Sequence, residues 1–248
     1  MVQAPSRRDR ARTATIEEIK QTARQILVQD GPDAVTLRAI AREMGLTAPA
    51  LYRYFDSREV LIKHVIADIF TELTGDLRAA IASAGPASGG GLTEKVIAAC
   101  WEFRRWSLNH PREFGMLFGT PLPGVNVEQD EITAECGAQF GNTFFELILA
   151  LWRKHPFPVT ADAAIDPGLR QQLERYRDGL GELGDGLPLG LLLIFLRCWT
   201  RLYGTLSLEV FGHLGFALDD AGPMFEIMLA ETAPLLGLQY PPPAPAGG

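Results

Sequence analysis

Apolar residues recur at helical spacing from near the start of the chain to near its end. Ile16, Ile19, Ala23, Ile26 and Leu27 fall on one face of a helix that Gly31-Pro32 stops. Thr15-x-x-Glu18 opens that stripe and reads as a capping box with Thr15 as N-cap. Thr36 then caps a short segment, Leu37–Met44, striped by Leu37, Ile40, Ala41 and Met44 and ended by Gly45. Thr47 caps a second short segment, with Pro49 in its first turn, where a missing N–H costs little. Asp56-x-x-Glu59 opens a longer helix through Leu61, Val65, Ile69 and Leu73 to about Ala82. Further helices are predicted over Thr93–Asn109, from Pro111, and over Glu128–Lys154, Leu169–Leu183, Leu187–Leu214 and Met224–Leu236. Gly- and Pro-rich loops separate them at 85–91, 120–126 and 155–167. No strand pair or internal repeat is legible. The pattern predicts an all-α protein: an N-terminal three-helix domain with a helix-turn-helix over residues 1–60, a larger helical domain over 61–238, and a disordered proline-rich tail over 239–248.

Composition narrows the class. With 47% apolar and 21% charged residues in 248, the chain fills a sizeable core, which excludes a mainly disordered protein. The longest apolar run, Leu187–Leu196, is about half a membrane span, and no signal-peptide core follows the basic N-terminus. Cys100, Cys136 and Cys198 are odd in number and far apart, which suits buried thiols in a reducing cytoplasm. The expected reading is a soluble cytoplasmic protein with no membrane partner. His64, His110, His155 and His213 are scattered, and no metal, nucleophile-elbow or P-loop motif accompanies them, so no catalytic site, metal or cofactor is expected.

The net charge of −7 is unevenly spread: residues 1–60 carry +2 and the remainder −9. Ser6–Arg12 alone has four arginines and one aspartate. Two readings are open for Arg7, Arg8, Arg10 and Arg12, an arm that touches the minor groove or phosphates of a nucleic acid, or a solubilising tail.

Thr36–Arg58 carries the chemistry. Two short helices joined by Gly45-Leu46-Thr47 form a helix-turn-helix with Arg38 and Arg42 outside. Leu51 and Phe55, four apart, face the core, which turns Ala48, Pro49 and Tyr52 outward. Small residues at the leading end of a helix fit a major groove about 12 Å wide, the hydroxyls of Tyr52 and Tyr54 suit phosphates, and the helix start near Thr47 aims N–H groups at an anion. The stretch Thr-Leu-Arg-Ala-Ile-Ala-Arg-Glu-Met-Gly-Leu-Thr-Ala-Pro-Ala-Leu-Tyr-Arg-Tyr-Phe-Asp-Ser-Arg-Glu-Val-Leu, Thr36–Leu61, resembles the signature of tetracycline-repressor (TetR) family regulators, and the match runs over roughly residues 12–65. His110–Gly124 and Trp199–Gly204 are similar to a subgroup with a Trp-His-Gly signature, although Tyr203 stands where that subgroup usually has histidine.

The resemblance implies double-stranded operator DNA as a partner, contacted by the span that begins at Thr36. Arg38 would touch a base edge or phosphate, Thr47, Ala48 and Pro49 the major groove, Tyr52 and Tyr54 phosphates, and Arg58 the DNA backbone. It also implies a small-molecule effector pocket in the second domain, for which Trp101, Trp106, Phe118, Phe144, Trp199 and Tyr203 are candidate liners. Arg105 or Arg201 would anchor any anionic group. Leu189–Phe211 and Met224–Leu236 are apolar on more than one face, which predicts a homodimer through the last two long helices. The expected function is a ligand-responsive repressor, with the helix Asp56–Ala82 as the lever. The rival readings are a non-specific DNA-binding protein and a helical enzyme acting on a small molecule.

Overall fold

The computed structural model describes residues 6–84, 91–119 and 130–240. Residues 85–90 of the loop expected at 85–91, the whole loop expected at 120–126, and residues 241–248 of the tail expected at 239–248 lie outside the described residues. Among the described residues the regular structure is helical throughout: α1 (Arg7–Asp30), α2 (Leu37–Glu43), α3 (Ala48–Leu51), α4 (Arg58–Ser83), α5 (Leu92–Asn109), α6 (Pro111–Phe118), α7 (Glu131–Lys154), α8 (Pro167–Gly179), α9 (Leu189–Val210) and α10 (Gly222–Thr232).

The chain divides into two compact units, Met1–Asp76 with Trp106–Gly141, and Leu77–Arg105 with Asn142–Gly248. Sequence pattern places a boundary near residue 60, but α4 continues unbroken through that point. Both α5 and α7 also contribute residues to each unit.

In the first unit, α1 begins two turns before the expected Thr15. Ser6 and Asp9 form a reciprocal capping box: Asp9 N–H donates to Ser6 Oγ (3.2 Å) and Ser6 N–H to Asp9 Oδ2 (3.2 Å). No Gly or Pro interrupts the chain between Ser6 and Thr15, so the earlier box starts the helix. Thr15 sits inside the helix with its hydroxyl donating back to the Ala11 carbonyl (3.0 Å). The start of α4 shifts as well. Ser57 Oγ accepts from Val60 N–H (3.3 Å), and Asp56 lies outside the helix. Ile19, Ala23, Leu27, Leu37, Ile40, Leu51, Phe55, Leu61 and Ile62 are buried together as the core of the helix-turn-helix. Each of the leucine, isoleucine and phenylalanine side chains among them is worth about 1.5–3 kcal/mol of burial.

Ion pairs knit α1 to its neighbours. Arg24 donates from Nη2 to Glu72 Oε1 (3.0 Å) on α4 and from Nε to Glu113 Oε1 (3.3 Å) on α6. Its hydrogen bonds hold the Glu72 carboxyl below the ordinary glutamate range. A depressed folded value means the stabilisation is present above the unfolded value of about 4.3 and is lost as pH falls through the folded one. Glu72→Gln is therefore expected to cost about 0.5–1 kcal/mol at neutral pH, given the partial exposure of the pair. In urea titrations that difference from the wild type should close as the pH is lowered below about 4; a penalty independent of pH contradicts the pairing.

The second unit is built around α9. Leu191, Leu192, Ile194, Phe195 and Leu206 are buried. Phe195 packs edge-on against Phe145 of α7 (5.2 Å between centroids) and Trp199 stacks on Phe103 of α5 (6.0 Å). Although α9 is long and apolar enough by composition to cross a bilayer, half of its apolar window is spent on this core. Its first turn is capped from a distance, Leu189 N–H donating to Asp162 Oδ1 (3.1 Å). Arg104 on α5 reaches Glu209 on α9 (Nε to Oε2, 2.9 Å) while its guanidinium lies 5.4 Å over the rings of Trp101 and Phe225. Glu209, one turn from His213, is thereby engaged by an arginine rather than by the histidine.

Candidate nucleic-acid interface and apolar cavity

The turn between α2 and α3 is a Schellman motif. Leu46 N–H donates to the Ala41 carbonyl (2.8 Å) and Gly45 N–H to the Arg42 carbonyl (3.2 Å). This geometry requires a left-handed residue, and Gly45 supplies it at φ +66°. Thr36 caps α2 by accepting from Ala39 N–H (3.1 Å). Thr47 occupies the N-cap position of α3, but its side chain forms no capping hydrogen bond. The α-helical part of α3 spans only Ala48–Leu51, and tightened turns continue it, with Tyr54 N–H donating to the Leu51 carbonyl (2.8 Å). A helix of one turn offers too few aligned amides to serve as an anion site, so the expectation of such a site near Thr47 is set aside.

Burial of Leu51 and Phe55 fixes which side of this segment faces out. Arg38, Arg42, Thr47, Pro49, Tyr52 and Arg53 are exposed, and Ala48 is half-buried. Tyr52 is 55% exposed. Tyr54 is half-buried, and the Arg12 guanidinium lies 5.2 Å over its ring while Arg12 Nη2 donates to the Arg53 carbonyl (3.4 Å). Sequence reasoning missed this Arg12 contact, because it joins residues 41 apart. Arg58 departs from expectation. Its fork turns inward, Nε donating to the Val35 carbonyl (2.6 Å) and Nη2 to the Pro32 carbonyl (2.8 Å). It staples the first turn of α4 to the loop before α2, a role that removes those donors from any phosphate. The exposed side of this pair of helices thus carries Arg38, Arg42 and Arg53 together with Pro49 and the Tyr52 phenol, side chains of the types that contact phosphates and base edges.

The second unit contains a partly open cavity of about 60 Å³. Cys100 on α5, Phe144 on α7, Phe195, Cys198 and Trp199 on α9 and Leu229 on α10 line it, and the segment after α10 covers it with Leu236, Leu238 and Tyr240. No charged side chain lines it among the described residues. Burial pushes the Cys100 thiol up to about 12 and the Cys198 thiol up to about 11. Both are therefore neutral at physiological pH and act as apolar wall. The Tyr240 phenol donates to Glu226 Oε2 and is pushed up to about 12, by burial first and then by that carboxylate.

Of the six expected liners, Phe144 and Trp199 border this cavity. Trp106 and Phe118 belong to the first unit. Trp106 is fully buried and stacks on His110 (5.0 Å), and Phe118 packs edge-on against Phe70 (5.8 Å). Trp101 packs edge-on against Phe225 (5.0 Å) beside the Arg104 guanidinium, and Tyr203 stacks on Trp199 (5.8 Å); neither borders the cavity. Arg105 is exposed and pairs with Glu102 (Nε to Oε2, 2.8 Å), and Arg201 is exposed with Nη1 on the Arg197 carbonyl (3.3 Å), so neither supplies an anion anchor here. The liners not expected from the sequence follow a helical rhythm: Val96 and Cys100 on α5, and Phe195, Cys198 and Leu202 on α9.

Comparison with known proteins points the same way. Residues 19–65 match the family model described as bacterial regulatory proteins, tetR family, and residues 96–232 match the tetracyclin repressor-like C-terminal domain. The chain is 30% identical over 224 residues to the HTH-type transcriptional regulator Rv1816 of Mycobacterium tuberculosis, covering 89% of this chain and 91% of that protein. The crystal structure of SCO4313, described as a regulatory protein, superposes with a TM-score of 0.67 at 30% identity, covering 92% of this chain and 98% of that one. A more distant fold relative is RolR in complex with its ligand resorcinol, with a TM-score of 0.50 at 16% identity over 95% of this chain and 99% of that one.

Proposed function

Since the chain belongs to the TetR family of transcriptional regulators, we propose that it represses transcription as a homodimer on a palindromic operator and lets go on taking up a small, neutral, largely apolar effector. The observation that carries DNA binding is the exposed row of Arg38, Pro49 and Tyr52 on a helix pair locked by Leu51 and Phe55 beneath it. Arg38, Thr47, Ala48 and Pro49 are assigned to the major groove, and Tyr52 to a phosphate. Tyr54 contributes through Arg12, and Arg58 positions the loop before α2. Dimerisation is supported by apolar side chains left in solvent at the end of α9, in the following turn and on α10: Leu208, Phe211, Phe216, Met224 and Ile227. Two-fold symmetry would place two reading heads on half-sites about 34–36 Å apart, or at multiples of that spacing.

The cavity supports the effector class and constrains its mechanism. An apolar, uncharged lining favours a neutral ligand. Yet a space of about 60 Å³ is smaller than the roughly 150 Å³ that holds benzene in an engineered cavity. Entry must therefore displace wall, so the effector binds a conformation other than the empty one and shifts the population toward it. A coupling of about 1–3 kcal/mol, or 5–150-fold in operator affinity, is sufficient.

Two substitutions test the DNA surface. Tyr52→Phe removes a phosphate donor and is expected to weaken binding about fivefold at every sequence alike. Arg38→Ala is expected to cost about 1–3 kcal/mol at the operator and much less on random DNA. Equal losses on both duplexes contradict base reading by Arg38, and an altered sequence preference contradicts the phosphate role of Tyr52.

A further inference from the structure

We propose that the first two turns of α1 form a second DNA-contact surface, in which Arg8 grips a backbone phosphate flanking the half-site; this rests on the DNA-binding reading above. The segment lies ahead of residues 19–65, the part that matches the family model. Three features carry the assignment. The segment is a helix from Arg7 onward, held by the Ser6–Asp9 box, so its cations project from a rigid rod. Arg12 ties that rod to the stretch following α3, through the Arg53 carbonyl and the Tyr54 ring. And Arg8 precedes Arg12 by four residues, which places it on the same face about 6 Å further along the axis. Arg7 and Arg10 lie roughly 140–160° around the helix from Arg12, on the opposite side. Arg8 is exposed and forms no ion pair among the described residues. Asp9, the one acidic residue within Ser6–Arg12, is engaged with Ser6.

Helicity also selects the kind of contact. An α-helix about 10–12 Å across does not enter a minor groove about 6 Å wide. The rod therefore meets duplex DNA from outside, where the phosphates are. A guanidinium fork matches two phosphate oxygens, an arrangement that adds affinity without sequence information.

The experiment compares wild type, R8A and R10A on a 40-base-pair duplex selected from a random library for retention by the wild type. Dissociation constants are measured by fluorescence anisotropy from 50 to 200 mM salt. Both variants remove one charge from the same exposed segment, and alanine preserves the helix. R8A is expected to flatten the salt slope by about 0.9, so that its deficit against wild type shrinks about 3.5-fold across that range. R10A is expected to keep the wild-type slope. Equal flattening by both variants overturns the directed contact in favour of a diffuse field, and an unchanged slope in R8A overturns it outright. A changed base preference in R8A with no change of slope overturns the phosphate assignment. If the wild type retains no duplex at all, the DNA-binding reading falls and this one with it, whereas wild-type binding with an unaffected R8A overturns this inference alone.

Discussion

Gly190→Ala is expected to destabilise the second unit by more than about 3 kcal/mol, at the upper end of overpacking penalties. A Cβ at this position of α9 would stand 2.2 Å from the Thr160 carbonyl oxygen and 2.8 Å from the Thr160 nitrogen. Those are backbone atoms, which no rotamer change can move aside. The Leu189–Asp162 hydrogen bond pins the same turn, so separating the segments also forfeits the cap of α9. Urea denaturation of wild type and variant measures the difference; a loss below about 1 kcal/mol contradicts this close approach.

The second large effect concerns the cavity. Cys198→Leu replaces a buried thiol in its wall with a bulkier branched side chain of the same polarity. The wild type is expected to take up small neutral aromatics such as toluene or indole, seen as a rise in Tm. The variant should bind them at least about tenfold more weakly, a loss of about 1.4 kcal/mol that filling the space readily supplies. Operator affinity without effector should be retained, because the substitution lies in a different compact unit from α3. A variant that responds to these compounds as the wild type does contradicts this cavity as the effector site.

What the sequence revealed divides along a physical line. Features fixed by neighbours within a few residues were legible: the Gly45 turn, the Thr36 cap, and the inward pair Leu51 and Phe55. They depend on local stereochemistry and the 3.6-residue period. The pattern places the start of α1 at Thr15-x-x-Glu18, where the apolar stripe begins, whereas the helix opens nine residues earlier at the Ser6–Asp9 box, in a stretch that carries no such stripe. Arg58 went astray because its acceptors, the Pro32 and Val35 carbonyls, lie more than twenty residues away. Aromatic type could not separate pocket from core. Trp106 fills a core, Phe118 packs half-buried against Phe70, and Phe144 and Trp199 border a cavity, yet all are large rings on apolar helix faces. What distinguishes them is which neighbouring face each meets, a tertiary fact that periodicity does not contain.

The central claim is that the surface around α3 reads a particular DNA sequence. It is tested most directly by sequencing the genomic fragments that the purified protein retains at physiological salt. A two-fold-symmetric motif is predicted, bound at least about 10³-fold more tightly than random duplex, with Arg38→Ala narrowing that ratio. Retention of all fragments alike, with affinities set only by salt, would contradict it.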